Sequence, residues 1–349
     1  MFTLHFFPNE KFTVDFVDRV NLLFNKEEQR FFIFNNYNNI CSKSTLPYDN
    51  VLFGEIQEDK NIVEDLYKTA NRIVLHSLFM GFKSKCFLLK MMKKYSKPVF
   101  WDIWGADLYN DYRVYHGSKN IKHILNEEVR KRIIASLHGA IASEDYSELI
   151  RMYKTNAKQY VAAYSYKFVD VVSYDKTDDI VNIMVGHSAT ETCRHLEVFE
   201  MLKPYQNKIR VYCPLSYPND QEYIDKITNR GRELFGDQFY PMTDFMEYSE
   251  YVRFLNKIDI GVFNNDRQQG NGNILNLMYL GKKLYISPEN NLLKTYQKLG
   301  AYLNTVEQIS QTDFLDQYSE EIKMQNHQVI VNRYSDEAFY EQWNNVFTN

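Results

Sequence analysis

Arg267, Gln268, Gln269, Gly270 and Asn271 follow one another in the stretch DRQQGNGN, between the apolar run IDIGVF and the helical pattern NILNLMYLG. A guanidinium carries a fixed charge and a fork of N–H donors, and amide side chains add neutral ones. Glycines let the backbone approach a ligand closely. Set at a helix start, these groups suit a diphosphate bound without a metal ion. A second turn, VGHSAT at 185–190, offers Gly186, His187 and Ser188 after a buried strand, with a helix expected from about Thr190. It outlines another phosphate-facing strand–turn–helix, although an ordinary βα turn reads the same way. It lacks GxGxxG, which disfavours a dehydrogenase dinucleotide site.

A third stretch, WDIWGADLY at 101–109, reads as a strand running into its C-terminal loop. Ligands of α/β sheets bind beyond the carboxyl ends of strands. Asp107 is therefore the first candidate for a general base or a sugar-binding carboxylate. His76, closing the run RIVLH, is the second. Trp101, Trp104 and Tyr109 are candidates for the wall against which an acceptor sugar stacks. The alternatives are core packing for the tryptophans and a helix N-cap for Asp107. Residues 79–97 mix Phe79, Phe82, Phe87 and Met91 with Lys83, Lys85, Lys90, Lys93, Lys94 and Lys97, and hold no acidic residue. That pattern suits a helix on a membrane surface, or a core-facing helix with a solvated lysine face.

Such groups need strand ends to hold them. Apolar runs of strand length recur at 30–34, 72–76, 98–104, 139–143, 181–186, 208–214, 258–263 and 283–287, with amphipathic stretches between them. Several are apolar throughout, as parallel strands buried on both faces are. The expected architecture is α/β. Its 349 residues suit two domains, placed at 1–176 and 177–334 on either side of the polar stretch YDKTDD, with a closing helix over 335–349 capped by Ser335.

The formal net charge of −4 disfavours a nucleic-acid partner. Four scattered cysteines form no CxxC pair, which argues against structural zinc and for a reducing compartment. The first residues do not read as a signal peptide, and no apolar run is long enough to span a bilayer. GxSxG, HExxH, Walker A and Asp-x-Asp are all missing.

The motifs resemble those of the TDP-N-acetylfucosamine:lipid II N-acetylfucosaminyltransferases, glycosyltransferase family 56. FWDIWGADLY is similar to that family's WxIWGADLY. The VGHS turn with His195 is similar to its VGNS…EH. PLSYPNDQEYIDKITNRGRELF resembles PxxYPxNxxYIxxVxxxGxxLF, and DIGVFNNDRQQGNG resembles DLGYFxxxRQQGxG. The matches run in order over about residues 70–285. The resemblance implies a GT-B fold, with two Rossmann-like domains whose parallel sheets face a central cleft. It implies transfer of an N-acetylfucosamine-like sugar from a nucleotide diphosphate, dTDP by preference, to a polyprenyl-diphosphate-linked saccharide. It also implies a cytoplasmic enzyme at the inner face of the plasma membrane, with neither metal nor cofactor. Residues 79–97 would be its contact with the inner leaflet. By position it singles out His76, Asp107, Gly186, Ser188, His195, Pro214, Tyr217, Pro218, Tyr223, Arg267, Gln268, Gln269 and Gly270, and the candidates for nucleotide or sugar contact are His187, His195, Tyr217 and Asn276. His187 stands where the family has Asn, and Asn276 where many GT-B enzymes hold ribose with Glu. Asp107 acts as base if the reaction inverts and orients the acceptor if it retains. The other readings are a nucleotide-sugar epimerase on the same frame and a non-catalytic sugar-binding scaffold.

Overall fold

A computed structural model describes the chain apart from Lys11, residues 36–39, Glu144, Ser165 and Asp175, and apart from the side chain of Asn110. Asp175, within the expected boundary stretch, therefore lies outside the described residues. The chain forms two compact units. The first is Met1–Tyr166 with Tyr334–Asn349, and the second is Lys167–Arg333.

The first unit holds a parallel sheet of β1 (Thr3–Pro8), β2 (Gln29–Phe34), β3 (Val51–Gly54), β4 (Arg72–His76), β5 (Val99–Asp102), β6 (Gly139–Ile141) and β7 (Lys158–Tyr160). Their order is β3-β2-β1-β4-β5-β6-β7. Alternate residues serve opposite faces. Leu4, Phe6, Ile73, Leu75, Val99 and Trp101 build one core. Phe7, Val74 and Phe100 build the other, which the C-terminal helix Asp336–Thr348 covers with Phe339, Trp343 and Val346. Burial on both faces explains why these strands lack polar alternation.

The second unit holds β8 (Val181–Val185), β9 (Ile209–Pro214), β10 (Phe239–Met242), β11 (Ile260–Phe263), β12 (Lys283–Ile286) and β13 (Asn304–Thr305). They are parallel, in the order β10-β9-β8-β11-β12-β13. Chain direction across each sheet reverses once, between β1 and β4 and between β8 and β11. These are the switch points at which doubly wound sheets open a crevice beyond the strand ends.

The unit boundary falls at 166/167, ten residues before the place read from sequence. The polar stretch was the wrong marker because the segment before it is already fastened to the second unit. Val169 N–H donates to Asn276 Oδ1 at 3.2 Å, Val172 N–H to Asn256 Oδ1 at 3.0 Å, and Phe168 stacks on Tyr279. Ser335 caps the closing helix, accepting from Ala338 N–H at 3.1 Å, and the helix belongs to the first unit.

Candidate functional site

At the β8/β11 switch point two turns distant in sequence come together. Gly186 follows β8 with φ +69°, and a Cβ there would stand 2.5 Å from His195 Nε2. Glycine is therefore required, for backbone and for space. Gly270, with φ +72°, sits before the helix Asn271–Tyr279, and a Cβ on it would stand 3.3 Å from His187 Nδ1. Having no side chain, Gly270 makes no side-chain cap, and the start of that helix brings the positive end of its dipole to this turn. Arg267, Gln268 and Gln269 are half-buried in the loop ahead of it. The expected diphosphate cradle, 186–188 with 267–271, is thus one locus.

Several residues there have inward duties. Ser188 is buried, with Oγ 3.1 Å from both His187 Nε2 and Thr190 Oγ1, so its hydroxyl faces the protein. The expected helix at Thr190 is instead a 3-10 turn, Glu191–Cys193, with the α-helix starting at His195 after a left-handed Arg194. His195 is fully buried, its Nδ1 2.9 Å from Tyr223 OH. Burial, then the neighbouring His187, lowers its pKa to about 3, so it stays neutral and packs behind Gly186 rather than reaching a nucleotide. Asn276 is buried and occupied by the Val169 backbone, which removes it from ribose binding. Asn271 Oδ1 accepts from Tyr296 OH at 2.7 Å, which orients that side chain. Tyr217 follows the Pro214 end of β9 in the loop with Pro218. It is 58% exposed and its ring centroid lies 6.5 Å from that of His187, which leaves a free aromatic face beside the cradle.

Cys193 gives no signal in the sequence because a lone cysteine six residues after a histidine matches no motif, and Asn265 joins it from 72 residues away. Its Sγ lies 3.4 Å from His187 Nδ1 and accepts from Asn265 Nδ2 at 3.4 Å. Burial raises the thiol, but the bond and charge of His187, helped by Thr190, bring it down to about 6. The cluster fixes the His187 ring under Gly270.

In the first unit the two expected catalytic groups are both enclosed. Asp107 is fully buried. Its Oδ2 accepts from Trp101 Nε1 at 2.8 Å and Leu78 N–H at 2.9 Å, and its Oδ1 from Trp104 N–H at 2.9 Å. Burial pushes it up to about 6, opposed by Arg130 and by these donors. It braces the loops after β4 and β5 and presents no oxygen to a substrate. Trp101 is core, with Arg130 over its ring, and Tyr109 is core with its OH on Asp145. Trp104 is half-buried and donates Nε1–H to Tyr164 OH at 2.7 Å. These three do not form an acceptor wall.

His76 belongs to a buried polar chain. Its Nε2 lies 2.9 Å from His5 Nδ1, and His5 Nε2 lies 2.9 Å from Gln29 Oε1. On the other side His76 Nδ1 meets Tyr164 OH at 2.5 Å and Asp102 Oδ2 at 3.1 Å, and Tyr164 OH also bonds Asp102. Burial holds both histidines well below their ordinary pKa and raises Asp102 to about 7. Tyr164 OH donates to Asp102, and the imidazole links run in the direction that the tautomers of His76 and His5 set. This chain is structural, and His76 is no base for a substrate.

What does open at the β1/β4 switch point is a cavity of about 900 Å³. Glu10 follows β1, Leu78–Met80 follow β4, and Glu55 and Gln57 follow β3 at its edge. Gly81, Phe82, Ser84 and Lys85 come from the start of the helix Phe82–Tyr95, and Asp111, Tyr115 and Asn126 from the far wall. Lys85 is 2% exposed, and Nζ donates to Asp111 and to Asn126, each at 3.3 Å. Arg130 also donates to Asp111, at 2.9 Å. Carboxylates, amides and aromatic edges around such a volume suit a sugar, whose hydroxyls need both donors and acceptors. Sequence reading passed over Glu10 and Glu55 because each is an ordinary loop acid until the strands are ordered. Among the described residues no group of three His, Cys, Asp or Glu is gathered as for a metal ion, and no helix is long and apolar enough to cross a membrane.

The family model described as 4-alpha-L-fucosyltransferase, glycosyl transferase group 56, matches residues 8–349. HepE of Anabaena, solved in complex with UDP and glucose, superposes with a TM-score of 0.67 at 10% identity, over 100% of each chain. The lipopolysaccharide outer core galactosyltransferase WaaB gives 0.61 at 14% identity, over 98% of each chain. Sucrose-phosphate synthase of Thermosynechococcus elongatus gives 0.66 at 10% identity, over 99% of this chain and 98% of that one. At such identities the likeness speaks for the fold, which is GT-B.

Proposed function

The chain belongs to the 4-alpha-L-fucosyltransferase family, glycosyl transferase group 56, and from that premise we propose that it moves an N-acetylfucosamine-like sugar from a nucleotide diphosphate, dTDP by preference, to a polyprenyl-diphosphate-linked saccharide. It is a glycosyltransferase of GT-B fold. The observation that carries the donor assignment is the meeting of the 186–188 turn with the 267–271 loop at a switch point.

Arg267 and the amides opening the helix Asn271–Tyr279 hold the diphosphate and stabilise the charge that grows on it as the glycosidic bond breaks. Gln268 and Gln269 add neutral donors, and Tyr217 offers its face to the nucleobase. These groups carry the leaving-group charge, so no metal is required, and transfer persists in EDTA. The acceptor sugar lies in the first-unit cavity. Glu10, at the end of β1, replaces Asp107 as candidate base. In an inverting displacement it takes the acceptor hydroxyl proton as that oxygen bonds the anomeric carbon, and the nucleoside diphosphate leaves with the electron pair of the broken bond.

The test is a thermal-shift panel of dTDP, UDP, GDP, ADP and CMP on wild type and Arg267→Ala. One diphosphate present at ten times its Kd stabilises by about 1.4 kcal/mol, a rise of about 3–6 °C for a unit of this size. Loss of a charge-assisted contact weakens binding about 10- to 150-fold and abolishes the rise in the variant. No shift with any nucleotide at millimolar concentration removes the donor site from the 267–271 loop.

A further inference from the structure

The helix Phe82–Tyr95 does not offer a membrane the face that its sequence advertised. Leu88, Leu89, Met91 and Met92 are buried in the core, Lys85 is enclosed by Asp111 and Asn126, and Lys94 is paired with Glu64. Lys93 and Lys97 sit with Pro98 and Ser136, beside the start of β5. That end is about 20 Å along the helix from the cavity.

An exposed apolar surface lies elsewhere. The helix Ile121–Ala135 buries Glu127, Arg130, Ile133 and Ile134, yet its first turns hold Ile121 at 65%, Ile124 at 45% and Leu125 at 49% exposure. Val114, on the preceding helix Ala106–Tyr115, is 51% exposed, and Phe82 is 41% exposed. Residues 112–126 hold Arg113, Lys119 and Lys122 and no acidic residue, in a chain whose net charge is −4. The patch adjoins the cavity. Tyr115 and Asn126 line it, the Tyr115 ring packs on His123 at 5.4 Å, and Lys85 joins Asn126 from the facing helix.

We propose that Val114, Ile121, Ile124 and Leu125, rimmed by Lys119 and Lys122, form a docking surface for an anionic bilayer at the mouth of the acceptor cavity. The proposal rests on the reading of the acceptor as lipid-linked. Branched apolar side chains enter the acyl boundary while lysines above them meet anionic headgroups. The combination selects a charged leaflet, since neither half suffices for stable attachment. A lipid-linked sugar then reaches the cavity without its chain leaving the membrane.

The experiment is co-sedimentation of the full chain with phosphatidylcholine vesicles, with and without phosphatidylglycerol, in the absence of donor and acceptor. Wild type sediments with the anionic vesicles only, less so as salt rises. Ile121→Gln/Ile124→Gln/Leu125→Gln and, separately, Lys119→Glu/Lys122→Glu each weaken binding by at least about tenfold. Lys90→Glu/Lys93→Glu binds as wild type. The dTDP thermal shift, read on the same samples, reports the fold and the donor site independently. Failure of wild type to bind, wild-type binding by the glutamine variant, or a concentration-dependent dimer without vesicle binding overturns the surface. If the dTDP shift persists in those cases, the transferase reading stands. Loss of the shift with vesicle binding intact strikes that reading instead.

Discussion

Asp107 shows how far residue type and spacing carry an assignment. An aspartate beyond a strand end is where a catalytic carboxylate belongs, and the sequence cannot reveal that the Trp101 indole turns back to bind it. The folded chain separates the two roles that carboxylates play here. Asp107→Ala leaves the Trp101, Leu78 and Trp104 N–H groups without their acceptor in a dry site. At about 1–3 kcal/mol for each such group, the expected loss is about 3 kcal/mol or more, a fall in Tm of about 6–12 °C. Glu10→Gln leaves Tm within about 1–2 °C of wild type, as a half-exposed substitution should, while kcat falls about 10²- to 10⁴-fold. Differential scanning fluorimetry with a transfer assay checks both. A stable, inactive Asp107→Asn beside a fully active Glu10→Gln would return the base to Asp107. The RQQGN run could be nominated from sequence because its chemistry is local. The Cys193–His187 contact could not, because no spacing marks it.

Elements were legible where both faces are buried. Eight of the strands announce themselves as apolar runs. The missed edge strands β3, β7, β10 and β13 are two to four residues long and, as in Lys158–Tyr160, partly exposed. β1 is central but was passed over as an N-terminal stretch carrying Thr3 and His5, both buried. Its register explains the polar residue: His5 pairs with Val74, two residues before His76 on the same face of β4, and His76 pairs with Asp102, so the three side chains share one face. This alignment has a pH signature. Asp102, raised to about 7 by burial, binds its proton more tightly folded than unfolded. Its contribution is therefore fully present below the unfolded value of about 4 and lost as pH rises through 7. His5 and His76, lowered by burial, act oppositely and lose their contribution as pH falls below about 6.5. Asn in place of Asp102 mimics the protonated carboxyl and cannot titrate. Relative to wild type, Asp102→Asn should gain about 3 kcal/mol between pH 5 and pH 8 in guanidinium unfolding, from about two pH units of lost linkage. A difference that stays flat with pH would mean that Asp102 is ionised throughout.

For the whole molecule, the two-unit plan was legible from the second run of alternating strands and helices, but the cut points were not. Val169 and Val172 carry their backbone N–H groups to Asn276 and Asn256, and a side-chain amide that accepts from a distant backbone leaves no pattern. The closing helix could be read as a helix, not as a part of the first unit. There Trp343 is fully buried with Nε1–H on Ala163 O at 2.9 Å, and Arg19 pairs with Asp336 at 2.8 Å. The two units therefore differ in what a cut does to them. Residues 167–333 are one contiguous run with their own core and the whole proposed donor cradle. Expressed alone, that fragment should unfold cooperatively and be stabilised by the same diphosphate as the full chain, with the effect lost on Arg267→Ala. Residues 1–166 alone lack Phe339, Trp343 and Val346, three buried side chains worth about 2–5 kcal/mol each when removed from a core. Their sum exceeds the whole stability of many domains, so this fragment should fail to fold and should recover when 334–349 is supplied in trans or joined by a linker. Circular dichroism melts of the three fragments decide it. A folded 1–166 would show that the helix merely rests on the sheet. A 167–333 fragment that folds but ignores nucleotide would show that the cradle needs the first unit to be complete.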